Sequence, residues 1–182
     1  MLYFKVKFYF LQICLWTVVL STAQASSDRI EQSVFRITNF QQSPDWQSPW
    51  KLKPTGKGQG SGFLINDDLI LTNAHVVSDS RMLLVNKISS PEPFLADVVA
   101  IAHDSDLALL KVRDSNFYLN LTPLKLGGLP ELRSRVRAYG YPMGGQELSR
   151  TEGVVSRIEF GTYVHPGIDS HLLVQTDSAI NP

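Results

Sequence analysis

Cysteine is almost absent from this sequence of 182 residues: Cys14 is the only one, and it lies near the start of the chain. The remainder therefore has no disulfide framework, no thiolate nucleophile and no cysteine metal ligand. The other candidate ligands, His103, His165 and His171, lack metal-ligand spacing with acidic neighbours. The sequence predicts neither a metal nor another cofactor.

An excess of basic charge is also missing, since 17 basic side chains balance 17 acidic ones. Removing residues 1–25 would take away Lys5 and Lys7 and no acid, which leaves 15 basic against 17 acidic groups and a net charge of −2. Nucleic-acid binding normally needs a basic surface. We therefore expect no nucleic-acid partner.

Only one long apolar run occurs, Phe8 to Leu20, and its 13 residues are fewer than the roughly 20 that a membrane-spanning helix needs. Lys5 and Lys7 precede the run, and the small residues of 23–25 follow it. This pattern favours a cleaved signal peptide at residues 1–25 over a membrane anchor. We expect an exported protein without a stable membrane span, periplasmic if the source is a Gram-negative bacterium and secreted otherwise.

Helical periodicity of any convincing length is absent after residue 25. Apolar runs of strand length recur instead between turn signals. The segment 56–60, which alternates glycine with polar residues, suits a flexible surface loop, and 66–68 suits a tight hairpin turn. The pattern predicts an all-β barrel or sandwich, with these strand segments: Val34–Ile37, Gly62–Ile65, Asp68–Thr72, Met82–Val85, Ala96–Ala102, Leu107–Val112, Val136–Tyr139, Gly153–Ile158 and His171–Gln175.

One histidine and one acid stand at the ends of predicted strands. His75 follows an apolar strand, and Asp106 directly precedes another one 31 residues later. A histidine that accepts a proton from a hydroxyl is best oriented by a carboxylate bonded to its other ring nitrogen. His75 and Asp106 could form such a pair, with Asp104 as the competing acid, although the spacing alone is a weak signal.

Six blocks of sequence recur at intervals after residue 59: Gly60–Phe63, Leu71–Val77, Asp104–Val112, Gly140–Gly144, Gly153–Ser156 and Gln175–Pro182. They stand in the order typical of the DegP/HtrA serine proteases, and together they are far more specific than any one block. From about Ser33 to Pro182 the chain resembles that family.

The resemblance implies a chymotrypsin/trypsin-like double six-stranded β-barrel, with the first barrel in residues 26–115 and the start of an incomplete second barrel in 116–182. It implies that His75 is the catalytic base and Asp106 the orienting acid, which leaves Asp104 as a solvated turn residue. Ile180 matches a position that lines the pocket for the substrate side chain before the cleaved bond. A preference for small or medium apolar side chains follows from that match.

In the family, Ala-Ile-Asn-Pro is normally followed by Gly-Asn-Ser-Gly-Gly, whose serine is the nucleophile and whose amides form the oxyanion hole. The sequence stops before that segment, and Ser178 matches an upstream strand-end position. We expect a Ser-His-Asp endopeptidase of exported or misfolded polypeptides, a homotrimer at full length, and an inactive fragment as it stands. The alternatives are a noncatalytic peptide-binding or chaperone-like module and a decayed gene product.

Overall fold

Six antiparallel strands close into a barrel in the first part of the chain. The computed structural model describes residues 29–88, 90–142, 144–163 and 170–179. Around the barrel the strand order is β1-β2-β3-β6-β5-β4, with β4 returning to pair with β1. The strands are β1 (Val34–Gln41), β2 (Gly56–Asn66), β3 (Leu69–Thr72), β4 (Ser80–Asn86), β5 (Phe94–Ala102) and β6 (Leu107–Val112).

The barrel interior is filled by side chains that alternate inward along each strand. Phe35, Ile37, Leu64, Ile70 and Leu110 are each at most 1% exposed. A 3-10 helix, Ser115–Tyr118, adds to this core, and it begins where the Asp114 carboxylate accepts a hydrogen bond from the Asn116 amide. Phe117 in this helix is fully buried, and its ring centroid lies 5.0 Å from that of Phe35.

The glycine-rich segment 56–60 is a strand and not the predicted surface loop. It forms the first half of β2, where Gly56 pairs with Gln41 and Gly60 pairs with Ile37. Glycine at position 60 is explained by a close contact: a Cβ there would lie 2.6 Å from a methyl group of Val76. A composition typical of loops thus serves here to let another segment approach the strand backbone.

A second, three-stranded sheet follows, in the order β7-β8-β9, with β7 (Arg135–Gly140), β8 (Ser149–Thr162) and β9 (Ser170–Thr176). The loop after β7 attaches it to β2 of the barrel. The Tyr141 amide donates to Ser61 Oγ over 2.8 Å, and Gln59 Nε2 donates to the carbonyls of Pro142 and Gly145 over 3.0 and 2.8 Å.

The predicted fold class is confirmed: the chain is mostly β, with one closed six-stranded barrel and a partial second sheet. Each predicted strand segment lies within or closely matches an observed strand. The turn at 66–68 joins β2 to β3, where the Asn66 side chain accepts a hydrogen bond from the Asp67 amide.

The division into domains at residue 115 stays a prediction. Residues 1–25 and Ile180 lie outside the described residues. Among the residues that the structure describes, no helix is long and apolar enough to cross a membrane.

Candidate active site

His75 lies in a single helical turn, α1 (Ala74–Val77), which begins two residues after β3 ends. Asn39 of β1, a fully buried residue, holds the far end of α1. Its Nδ2 donates to the carbonyls of Val76 and Ser78 over 3.0 and 2.9 Å. These bonds satisfy carbonyls that a helix end leaves without partners. The turn that carries His75 is therefore attached to the barrel wall.

Asp106 is brought to α1 by the pairing of β3 with β6. Thr72, at the end of β3, pairs with Ala108 near the start of β6. In an antiparallel pair, the residues that follow one strand lie beside those that precede the other. The Asp106 backbone has φ of 53°, a left-handed conformation that aspartate tolerates better than most residues. Its carbonyl accepts from the Ala74 amide over 3.1 Å.

The side chains of His75 and Asp106 meet directly. His75 Nδ1 lies 2.7 Å from Asp106 Oδ2, and the His75 amide donates to Asp106 Oδ1 over 2.9 Å. Oδ2 also accepts from Asn73 Nδ2 over 3.2 Å and from the Tyr163 hydroxyl over 3.0 Å. The Asp106 side chain is 3% exposed and that of His75 is 43% exposed. The acid is enclosed while the base faces the surface.

The carboxylate is kept ionised in spite of its burial. Burial by itself raises the pKa of Asp106, but the hydrogen bonds from the His75 amide, the His75 ring and Tyr163 outweigh that effect and leave the pKa below its ordinary value. A carboxylate accepts hydrogen bonds only, so Nδ1 carries a proton, and in the neutral imidazole Nε2 is then the nitrogen with the lone pair. This is the tautomer that general-base chemistry requires.

The competing candidates take other positions. Asp104 is exposed, and its carboxylate accepts a weak hydrogen bond from Ser105 Oγ over 3.4 Å. Ser178 follows β9 and packs against Gly153 of β8, where an added Cβ would lie 2.5 Å from its Oγ. No cluster of three or more histidine, cysteine, aspartate or glutamate side chains within the described ranges could hold a metal ion.

Sequence reasoning missed three residues of the site: Asn39, Asn73 and Tyr163. Asn73 lies inside the motif around His75, so its neighbourhood was a signal that could have found it. Asn39 and Tyr163 are 36 residues before and 88 residues after His75, and no local pattern marks either one. They reach the site only because β1 and the second sheet pack there.

A buried acid in contact with an accessible histidine, at the strand ends of a closed antiparallel barrel, is the arrangement that the base and acid of nucleophilic hydrolases adopt. Comparison with known sequences agrees with this class. The family described as "Trypsin-like peptidase domain" matches residues 60–182.

Individual relatives give a closer assignment. Protease Do-like 4, mitochondrial, of Arabidopsis thaliana is 41% identical over 162 residues, which cover 89% of this chain and 31% of that protein. The serine protease DegP homolog of Plasmodium falciparum is 39% identical over 139 residues, which cover 76% of this chain and 16% of that protein. The chain thus spans about a third or less of the length of these relatives.

A solved structure shares the fold. The active form of the Rv3671c protease from M. tuberculosis superposes with a TM-score of 0.62 at 25% identity, over 84% of this chain and 62% of that one. The chain belongs to the trypsin-like peptidase family, among its Deg/Do-like (DegP/HtrA) members. The resemblance seen in the sequence is thereby confirmed, whereas the roles of His75, Asp106 and Ile180 stay predictions.

Proposed function

We propose that this chain is the base- and acid-bearing part of a serine endopeptidase. The observation that carries the proposal is the 2.7 Å contact between His75 Nδ1 and Asp106 Oδ2, made by an acid side chain that is 3% exposed. Such a contact holds the imidazole in one orientation and stabilises the imidazolium that forms when it takes a proton. The nucleophile in this proposal is the serine of a Gly-Asn-Ser-Gly-Gly segment that follows Pro182 in the full-length protein.

The reaction is acyl transfer in two halves. His75 Nε2 removes the proton from the serine hydroxyl as its oxygen attacks the peptide carbonyl, and the tetrahedral intermediate forms with its oxyanion bound by backbone amides. The imidazolium then gives the proton to the leaving amine, and the peptide C–N bond breaks. Water, activated by the same histidine, hydrolyses the acyl-enzyme and regenerates the serine. Asp106 remains ionised throughout.

The substrates in this proposal are exported or misfolded polypeptides, with Ile180 lining the pocket for the side chain before the cleaved bond. The full-length protein would act as a homotrimer. These points rest on the family resemblance. The chain spans only part of its relatives' length, so the substrates and assembly of the whole protein are proposals. The relatives' own names call them proteases, which supports polypeptide substrates.

Export is proposed from the composition of residues 1–25. N-terminal sequencing of the protein purified from its source tests the proposal. A mature chain that starts at Ser26 supports it, and a chain that retains Met1 contradicts it.

The decisive test begins with the gene. Sequencing from the codon for Asp177 onward should reveal Gly-Asn-Ser-Gly-Gly and further strands. In that full-length protein, His75→Ala should lower kcat for an unfolded, fluorescently labelled protein substrate by about 10³-fold or more. His103→Ala, which replaces an exposed histidine outside the pair, should leave the rate unchanged. Full activity of His75→Ala would exclude the mechanism.

The second candidate is a noncatalytic module that binds unfolded peptides. The exposed apolar side chains of the second sheet favour it: Phe160, Leu172 and Val174 are 77%, 44% and 40% exposed. Such side chains can receive an apolar segment of another chain. An in-frame stop codon after Pro182, with a soluble product that binds but does not cleave unfolded protein, would support this candidate. The same stop with a product that aggregates would indicate a decayed gene.

A further inference from the structure

The second sheet reaches back to the acid of the barrel through one side chain. Tyr163 directly follows β8, and its hydroxyl lies 3.0 Å from Asp106 Oδ2. That oxygen is the one that contacts His75 Nδ1 over 2.7 Å. The other donors to the Asp106 carboxylate, Asn73 Nδ2 and the His75 amide, both come from the segment beside β3. Tyr163 is thus a donor that the barrel does not itself supply.

Tyr163 is held in position by a second contact between the sheet and the same loop. Its ring meets the ring of His171 edge to face, with centroids 6.0 Å apart and an interplanar angle of 90°. His171, in β9, contacts the carbonyl of Asp104 through Nε2 over 3.0 Å. Tyr163 and His171 therefore attach the second sheet to the loop of Asp104 and Asp106 at two points.

We propose that Tyr163 is a positioning residue of the peptidase. Its hydroxyl holds Asp106 Oδ2 in the orientation that fixes the His75 ring, so the second sheet contributes to the orientation of the catalytic base. This inference deepens the proposed function and rests on it for its effect on rate. The contact itself does not depend on that function.

Electrostatics agree with the geometry. Partial burial raises the pKa of Tyr163, and so do its hydrogen bond to Asp106 and the negative charge of that carboxylate. A tyrosine that must lose its proton beside a carboxylate resists ionisation, because the product would be two adjacent negative charges. Tyr163 is therefore protonated at neutral pH and can donate its hydroxyl hydrogen to Asp106.

The contact can be tested without any peptidase activity. In the chain labelled with ¹³C at tyrosine Cζ, the Tyr163 resonance is assigned by its loss in Tyr163→Phe, and we expect it to titrate above the ordinary tyrosine value of about 10. Asp106→Asn should shift that titration to lower pH. Tyr118, whose pKa is raised mainly by burial, is the internal control, and its titration should not shift in Asp106→Asn. An unchanged Tyr163 titration in Asp106→Asn would overturn the inference.

The positioning role is tested by Tyr163→Phe in the full-length protein. Loss of one hydrogen bond to the carboxylate should lower kcat about tenfold with KM unchanged. The His75 Nδ1–H proton resonance should move downfield, because the carboxylate then shares its charge with one donor fewer. Tyr139→Phe, a substitution in the neighbouring strand β7, should change neither quantity. Wild-type kcat and an unmoved resonance in Tyr163→Phe would contradict the proposal.

The two hypotheses fail in different ways. If His75→Ala remains active while Asp106→Asn shifts the Tyr163 titration, the proposed peptidase mechanism is wrong and the contact stands. If His75→Ala is inactive while Tyr163→Phe behaves as wild type, the peptidase stands and Tyr163 has no positioning role. Circular dichroism tests whether Tyr163→Phe is folded. If it is not, the Tyr163 titration in Asp106→Asn decides whether the contact between Tyr163 and Asp106 exists.

Discussion

The closed barrel and the three-stranded sheet are both built from antiparallel strands, but they bury their side chains to very different extents. Every barrel strand pairs on both sides, and the inward side chains form a continuous core that includes Phe35, Ile70 and Leu110, all fully buried. In the sheet Val155 is fully buried, whereas Phe160 is 77% exposed. Closure removes sheet edges and covers one whole face, which an open sheet of three strands cannot do.

The difference shows where the candidate site derives its geometry. His75 and Asp106 both lie at strand ends of the barrel, and β3 pairs with β6 to bring them together. The sheet adds Tyr163 to a pair that the barrel has already assembled. We therefore expect stability to depend mainly on the barrel and fine positioning to depend on the sheet.

The largest contrast should come from two phenylalanines. Phe35→Ala removes a ring that packs against Phe117 in the barrel core and should lower the free energy of unfolding by about 3–5 kcal/mol. Phe160→Ala, in the exposed face of β8, should change it by less than about 0.5 kcal/mol. Urea denaturation followed by circular dichroism measures both. Equal losses would mean that the sheet has a core of its own under the conditions used.

Two glycine-to-alanine substitutions in β2 distinguish a steric clash with α1 from the general effect of replacing a glycine in a strand. Gly60→Ala places a methyl group 2.6 Å from a methyl group of Val76 in α1, so the Val76 side chain must shift, and we expect the free energy of unfolding to fall by about 1–3 kcal/mol. Gly58→Ala is the matched control, since a Cβ there has no neighbour within 4 Å. The His75 Nδ1–H resonance should broaden or shift in Gly60→Ala only. If both variants behave alike, the contact with α1 does not explain the glycine.

Asp106→Asn should have an effect that depends on pH. Because the pKa of Asp106 is lowered in the folded protein, its ionised form stabilises the fold above the unfolded aspartate pKa of about 3.9. That contribution is lost as the pH falls through the folded value. The difference in free energy of unfolding between wild type and Asp106→Asn should therefore shrink below about pH 4. Asp104→Asn is the control, and a constant difference across this range would contradict the prediction.

The smallest effect should come from the junction of the two regions. Ser61→Ala removes the acceptor of the Tyr141 amide, a contact of 2.8 Å, and should cost about 1 kcal/mol. The loss should appear as faster hydrogen exchange of the β7 amides, with the barrel amides unchanged. Ser156→Ala, at an exposed position of β8, should leave both sets unchanged. Faster exchange throughout the barrel would show that the two regions unfold together.

Much of this architecture was predictable from local pattern. Strand-length apolar runs between turn residues marked the barrel strands, and the ordered motifs identified the family. The segment 56–60 was misread because glycine is common both in loops and in strands that a neighbouring element approaches closely. Composition cannot distinguish these cases, since the difference lies in Val76, a side chain 16 residues away from Gly60.

By itself the sequence determined the β class, the motif residues His75 and Asp106, and the family, because each is encoded in a short stretch or in the order of such stretches. Only the tertiary structure decided that Asn39 holds α1 and that Tyr163 donates to the acid. Those contacts join residues that are distant in the chain. Strand pairing and barrel closure create them, and no local pattern encodes the position at which two separate strands end side by side.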